Sequence, residues 1–179
     1  MTGEVEAEQK GPTKQVTSVA FAQDGNRVAC ADDSTIWIWN MIMDEVEAEL
    51  SHGVSVSSIA FSHDGSQVVF GSDSTTVQIW NTMTNELQLM TTPSTTITLP
   101  DASIVHNAGV ESYPEQPTLS EHGPLSISDD RQWIVVGALH DCWIPSHNRD
   151  FISVSFSGDR VCLGCHSGHM IIFDMKAAL

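Results

Sequence analysis

Basic residues are scarce in this sequence. Of its 179 residues, 7 are lysine or arginine and 23 are aspartate or glutamate, so the formal net charge is −16. The seven basic residues are scattered: Lys10, Lys14, Arg27, Arg131, Arg149, Arg160 and Lys176. Because nucleic acids and anionic membranes are bound by clustered lysine and arginine, both are poor partners for this chain. The acid excess either only keeps the chain soluble, which we favour, or also attracts basic proteins.

Long apolar runs are absent as well. No run of eighteen apolar residues occurs, which predicts that no segment spans a membrane. The first ten residues are polar and acidic, so we expect no secretory signal. Without such a signal, the four cysteines indicate a reducing compartment, and a cytoplasmic location is expected. They are Cys30, Cys142, Cys162 and Cys165.

Motifs of the common enzyme classes are also missing. The sequence contains no nucleophile elbow, phosphate-binding loop or metalloprotease motif. Of the histidines, His52 is interpreted as a packing and hydrogen-bonding residue. Five others are assigned to turns or loops: His63, His106, His122, His140 and His147. We therefore expect no catalysis, no catalytic residues and no cofactor.

An internal repeat is the strongest pattern that the sequence does contain. Val16 to Gly25 and Val56 to Gly65 are near copies, and each leads to an Ile-Trp-Asn, ending at Asn40 and Asn81. The acidic segment at Glu4 recurs at Glu45, and a fainter copy begins at Glu86. Asp-Gly between β-branched and aromatic runs indicates hairpins. One unit of about 40 residues therefore predicts four strands, the content of one propeller blade.

Two weaker units follow in the C-terminal half. We predict blade-like units at about 12–50, 52–90, 117–149 and 150–179, with a loop or irregular insertion at 91–116. The last unit ends after its third strand, and an N-terminal strand at 3–9 could complete it. Four units are few for a ring. The alternatives are a small or partial propeller, a dimer that shares one eight-blade ring, and a piece of a larger parent.

These segments resemble WD40 repeats, the units of β-propellers. The resemblance is strong over Val16 to Asn81, moderate over Phe151 to Asp174 and weak over 117–145. It implies an all-β fold and a scaffold that binds other proteins or peptides. It also implies, by position, that Thr17, Asp32, Ser57 and Asp73 face a partner. The alternative for these four is that they are solvated loop residues.

The resemblance further implies a buried hydrogen-bond network that joins a histidine, a serine or threonine, a turn aspartate and the tryptophan. Asp33 and Trp39 match this network in the first unit, and His52 and Trp80 match it in the second. The serine or threonine position is occupied by Ala29 in the first unit and by Phe70 in the second. In the second unit Ser74 occupies the position of the turn aspartate. An incomplete buried network stabilises less than a complete one.

The C-terminal part resembles the last WD40 segment of fungal NACHT-type proteins. The likeness rests on Trp133-Ile134, on Cys142-Trp143-Ile144-Pro145 and on Arg149. It implies that the chain is the sensing part of a larger receptor, or a stand-alone remnant of one.

A second function class comes from a literal Cys-x-x-Cys-His. Cys162, Cys165 and His166, together with His169, have the residue types of a zinc site, and the first three match a haem-attachment pattern. The competing interpretation is a strand and turn of the last blade. In a strand, Cys162 and Cys165 point to opposite faces because their spacing is odd. We favour the strand and keep the metal- or haem-binding module as the alternative.

Overall fold

The fold is built from β-strands. The computed structural model describes residues 4–10, 14–53, 55–72, 76–91, 96–98, 104–106, 119–120, 123–136, 139–146 and 149–175. Among these residues there is no α-helix, and hence no helix of the length and apolarity that a bilayer crossing needs. The strands form four four-stranded antiparallel sheets and one two-stranded sheet, which confirms the predicted all-β, propeller-type fold.

The strands, in chain order, are β1 (Glu4–Lys10), β2 (Ser18–Phe21), β3 (Arg27–Ala31), β4 (Thr35–Asn40), β5 (Glu45–Ser51), β6 (Val56–Phe61), β7 (Gln67–Ser72), β8 (Thr76–Asn81), β9 (Glu86–Thr91), β10 (Thr96–Thr98), β11 (Ile104–His106), β12 (Leu119–Ser120), β13 (Gly123–Ile127), β14 (Trp133–Val136), β15 (Leu139–Trp143), β16 (Phe151–Ser157), β17 (Arg160–Cys165) and β18 (His169–Asp174).

The first and second blades have the same construction. Strands β2 to β5 form the first blade and β6 to β9 the second, each in sequence order. The Asp-Gly turns that join their first two strands need a left-handed residue, and Gly25 and Gly65 supply it with φ of 67° and 69°. The carboxylates of Asp24 and Asp64 accept backbone N–H groups two residues further on, at 3.0 and 2.9 Å. The repeated turn sequence therefore fixes the same hairpin twice.

The fourth blade combines the two ends of the described chain. Its strand order is β1, β18, β17, β16, so the most N-terminal strand is the outer strand of the most C-terminal sheet. Glu4 pairs with Asp174 and Lys10 with His169. The third blade consists of β12 to β15, and β10 and β11 pair with each other. Those two short strands lie within 91–116. Apart from them and Thr91, that segment lies outside the described residues.

Three apolar cores join the four blades in series. One core packs Ile134 of the third blade with Phe173 of the fourth. A second packs Cys162 of the fourth blade with Val19 of the first, and a third packs Ile38 of the first blade with Phe70 of the second. The packing order is therefore third, fourth, first, second. Closure into a ring and the limits of the sequence units stay predictions.

Serine side chains connect the inner strands of successive blades. Strands β2, β6 and β16 are the innermost members of their sheets, so one row of their backbone groups has no partner within the sheet. Ser153 and Ser155 accept the backbone N–H groups of Val19 and Phe21, each at 3.0 Å. Ser18 accepts that of Ile59 at 3.2 Å, one repeat further on. The hydroxyls thus satisfy buried donors that the sheets leave open.

An arginine crosses each of the three described junctions. Arg131 of the third blade donates to the carbonyl oxygen of Phe151 and lies over its ring. Arg160 of the fourth blade donates to the carbonyl oxygen of Gly25 at 3.1 Å. Arg27 of the first blade lies 5.6 Å from the centre of the Phe61 ring in the second. Three of the seven basic residues therefore connect neighbouring blades.

Candidate functional site

Thr17 and Ser57 occupy equivalent positions at the upper end of the first and second blades, the end where β2 and β6 begin. The Thr17 hydroxyl donates to the carbonyl oxygen of Ala31 at 3.2 Å, and that of Ser57 donates to Gly71 at 3.1 Å. Ser57 is exposed and Thr17 is half-buried. The backbone of the neighbouring strand therefore holds both hydroxyls in one orientation, and their oxygens can still accept hydrogen bonds.

The β3–β4 turn places its two aspartates differently from the sequence interpretation. Asp32 is buried, and its Oδ1 accepts the backbone N–H groups of Ser34 and Thr35, both at 2.8 Å. Asp33 is exposed. The sequence assigned the buried turn role to Asp33 and the partner-facing role to Asp32. In the structure, the first aspartate of the pair is the one whose side chain reaches both N–H groups of the turn, and which aspartate faces a partner stays a prediction.

Asp73, the fourth residue expected to face a partner, lies outside the described residues, and so does Ser74. Of the four predicted partner-facing residues, Thr17 and Ser57 are therefore the two that the structure places at the surface of the upper end. Asp33, in the β3–β4 turn at the same end, is exposed.

His52 lies between the first and second blades at this upper end. Its backbone N–H donates to the carbonyl oxygen of Ser34 at 3.1 Å, and its ring is tilted against that of Phe70 with 5.0 Å between the ring centres. Partial burial lowers the pKa of His52, and the nearby charge of Asp32 opposes this shift. The aromatic contact follows from Phe70, which stands where a hydroxyl residue was expected. His52 therefore packs between the first and second blades.

The two tryptophans use their indole N–H groups differently. Trp80 is fully buried and donates to Oδ1 of Asn85 at 3.0 Å, within its own blade. Trp39 is half-buried, and its Nε1 is buried without a hydrogen-bond partner among the described residues. In the part of the chain that the structure describes, neither indole N–H donates to His52 or Asp33. The indoles therefore do not bring the four predicted network residues together.

The Cys-x-x-Cys-His residues do not form one metal-binding group. Cys162 packs in the core between the fourth and first blades, and Cys165 in the core between the third and fourth. Both are buried, whereas His166 is exposed and His169 half-buried. Burial raises the pKa of the Cys162 thiol, which disfavours the thiolate that a metal needs. In the described part of the chain, no three His, Cys, Asp or Glu side chains could share an ion.

A comparison with protein families identifies the kind of repeat. Residues 3–40 and 45–81 match the family model described as WD domain, G-beta repeat. These two segments are WD40 repeats. Each WD40 repeat begins one strand before its blade, at β1 and at β5. The opening strand of a repeat therefore completes the preceding blade: β5 completes the first, and β1 completes the fourth.

WD40 repeats generally mediate interactions between proteins, and proteins that contain them are typically non-catalytic scaffolds. The curated proteins compared with this chain include no match to it. The resemblance noted over Val16 to Asn81 is thereby confirmed at the level of the repeat family.

Proposed function

We propose that this chain is a non-catalytic scaffold that binds another protein at the upper end of its first and second WD40 repeats. The observation that carries the proposal is the repeated placement of Thr17 and Ser57, whose hydroxyls are held by Ala31 and Gly71 in the same geometry. A partner segment that crosses both blades meets two fixed polar groups. Because these groups are already ordered, binding loses little conformational entropy at the site.

The character of the site supports a peptide-like partner. The hydroxyls of Thr17 and Ser57 and the exposed carboxylate of Asp33 can accept hydrogen bonds, and the His52 ring packs against Phe70. Backbone N–H groups and polar side chains of a partner segment would meet acceptors here. With a net charge of −16, the chain would repel nucleic acids and anionic lipid, which supports a protein partner over both.

We also propose that the chain acts as the sensing part of a larger receptor, in line with its C-terminal likeness to fungal NACHT-type proteins. The residues that carry the likeness pack together in the third blade. Trp133 and Trp143 are opposite one another in the sheet, and the guanidinium of Arg149 lies 4.4 Å from the Trp143 ring. Its Nε donates to the carbonyl oxygen of Ile144 at 2.8 Å.

A photo-crosslinking amino acid at position 57, compared with the same amino acid at position 126, tests the upper site. Ser126 is exposed in β13 of the third blade. We expect a protein to be captured from position 57 and not from position 126. Once that protein is purified, Ser57→Arg should weaken its binding at least about tenfold, or about 1.4 kcal/mol.

The matched control is Ser126→Arg, which makes the same substitution on the third blade and should leave the affinity unchanged. Melting curves of both variants establish that the fold is retained. Equal capture from both positions, or an affinity that Ser57→Arg leaves unaltered, would contradict the proposed site.

A further inference from the structure

Three large apolar side chains project into solvent where β4 turns into β5. Ile42, Met43 and Val46 are 72%, 65% and 44% exposed. The same turn of the second blade exposes Met83 by 77% and Leu87 by 44%. Ile42 and Met83 are equivalent in the repeat, as are Val46 and Leu87. None of these side chains belongs to the three apolar cores, and exposed apolar side chains that recur at one repeat position favour contact with another molecule.

The backbone of this turn holds these side chains outward. Oδ1 of Asn40 accepts the N–H groups of Ile42 and Met43 at 3.0 and 3.1 Å. Asp44 follows with a φ of 54°, a left-handed conformation that reverses the chain into β5. The second blade repeats the arrangement from Asn81. Because the turn is fixed by its own hydrogen bonds, the apolar side chains cannot collapse onto the blade without breaking them.

The strand that follows this turn has an open side. Strand β5 is the last member of its sheet, and within the described part of the chain no strand pairs with it on the side away from β4. An edge strand presents unpaired N–H and C=O groups, which can accept an extended segment of another chain as an added strand. The exposed side chains of Ile42 and Met43 lie at one end of this edge.

Charge decides which kind of chain can occupy the edge. Glu45 and Glu49 are exposed on β5, and Glu47 is exposed with one oxygen 3.9 Å from Arg27. A second copy of β5 would bring glutamates opposite glutamates, which destabilises strand pairing. Anionic lipid is repelled in the same way. Lysine or arginine of another protein would instead form opposite-charge pairs along the strand.

We propose that the free edge of β5, together with Ile42, Met43 and Val46, is a docking surface for an extended basic and apolar segment of a partner protein. The pairing of β4 with β5 shifts register between Ile38 and Trp39, so Glu45 and Glu49 point to opposite faces of the sheet. A fitting segment therefore carries basic residues three apart with apolar residues between them. The surface adjoins the lower end of the blade, opposite the site of Thr17 and Ser57.

The probe that tests this surface is a labelled peptide of sequence Lys-Val-Val-Lys-Val-Val-Lys. Its binding to the full chain is measured by fluorescence anisotropy. A second peptide has the same side chains but N-methyl groups on alternate amides, so that it cannot donate along one edge. We expect the first peptide to bind at least about tenfold more tightly than the second, because strand addition depends on backbone hydrogen bonds. Equal binding of the two peptides would mean that charge attraction without backbone pairing accounts for the affinity, and it would overturn the proposal.

Variants of the chain locate the binding. Glu45→Lys combined with Glu49→Lys should weaken the peptide at least about tenfold, and Ile42→Ser with Met43→Ser should weaken it several-fold. The matched control is Asp129→Lys with Asp150→Lys, which changes the net charge equally at exposed positions of other blades. The control and Ser57→Arg should both leave the affinity within about twofold. Equal loss in the control would overturn the proposal.

Hydrogen exchange gives a readout that depends on backbone pairing. Amides of β5 should gain protection when the peptide binds, while those of β7, an interior strand of the second blade, serve as an internal reference. Self-association of the chain that is lost on Glu45→Lys with Glu49→Lys would assign the edge to a second copy. Binding to vesicles that contain an anionic lipid, lost on Ile42→Ser with Met43→Ser, would assign it to a membrane. Either outcome would overturn the proposal.

Discussion

At the scale of single residues, Gly164 shows how closely the first and fourth blades approach. A Cβ at this position would lie 2.6 Å from Cγ1 of Val16 and 2.9 Å from Cγ1 of Val19. Both valines are buried in the core between these blades. We expect Gly164→Ala to lower the free energy of unfolding by about 1–3 kcal/mol, because added volume in a close-packed interior forces neighbours to move. Urea denaturation measures it.

The repeat supplies a matched control for this substitution. Gly71 stands at the equivalent position of the second blade, where a Cβ would lie 3.9 Å from Oγ of Ser57, an ordinary contact. Gly71→Ala should therefore change the free energy of unfolding by less than about 0.5 kcal/mol or stabilise the chain slightly. If both variants lost the same stability, the cause would be the loss of a strand glycine and not the approach of Val16.

The adjacent aspartates illustrate the limit of sequence interpretation at this scale. Composition and repeat spacing predict an aspartate in the β3–β4 turn, and such a residue is present. They do not decide between Asp32 and Asp33, because the choice depends on which side chain the turn directs toward its own N–H groups. A shift of one residue exchanges the buried, hydrogen-bonded carboxylate for the exposed one, and it thereby changes which of the two can meet a partner.

At the scale of strands, the serine contacts between inner strands make a testable contribution. Ser18 is buried, and its hydroxyl oxygen accepts the N–H of Ile59 in the next blade. Ser18→Ala would leave that N–H buried without an acceptor. We expect the free energy of unfolding to fall by about 1–3 kcal/mol, the cost of one unsatisfied buried donor. Denaturant unfolding followed by tryptophan fluorescence measures this change.

Ser126 is the comparison residue for this prediction. It lies in β13 of the third blade and is exposed. Ser126→Ala should change stability by less than about 0.5 kcal/mol, as most exposed substitutions do. A loss for Ser18→Ala no larger than that for Ser126→Ala would mean that the inter-blade hydrogen bond contributes nothing measurable.

Strand composition and turns are predictable here because their causes are local. The Asp-Gly pairs at Gly25 and Gly65 and the apolar alternation of the repeats operate over a few residues, and the structure has hairpins at both. The inter-blade contacts have no such signal. Ser153 and Val19 are 134 residues apart, and Arg160 and Gly25 are 135 apart. Only the packing order of the blades brings these pairs together, so the sequence left them unassigned.

At the scale of the whole molecule, the packing order differs from the chain order. The third, fourth, first and second blades are neighbours in that series, so the first and last sheets of the chain meet in the middle of the array. Strand β1 strengthens this arrangement by pairing with β18 along its length. The stability of the C-terminal sheet therefore depends on a segment about 160 residues away, and that segment opens the first WD40 repeat.

This dependence predicts that β1 can be removed and restored as a separate peptide. A chain shortened to begin at Lys14 leaves one side of β18 without its partner. We expect its free energy of unfolding to fall by roughly 3–6 kcal/mol, given six paired residues and about 0.5–1 kcal/mol for each backbone hydrogen bond. Amides of β18 should lose exchange protection, whereas those of β7 in the second blade should keep more of theirs.

A peptide of residues 1–13 should restore both the stability and the exchange protection. The same peptide with a proline at position 7 should not, because proline cannot donate to the ladder. Full protection of β18 in the shortened chain would show that the fourth blade is stable with three strands. In that case the pairing of the chain's two ends would not hold the array together.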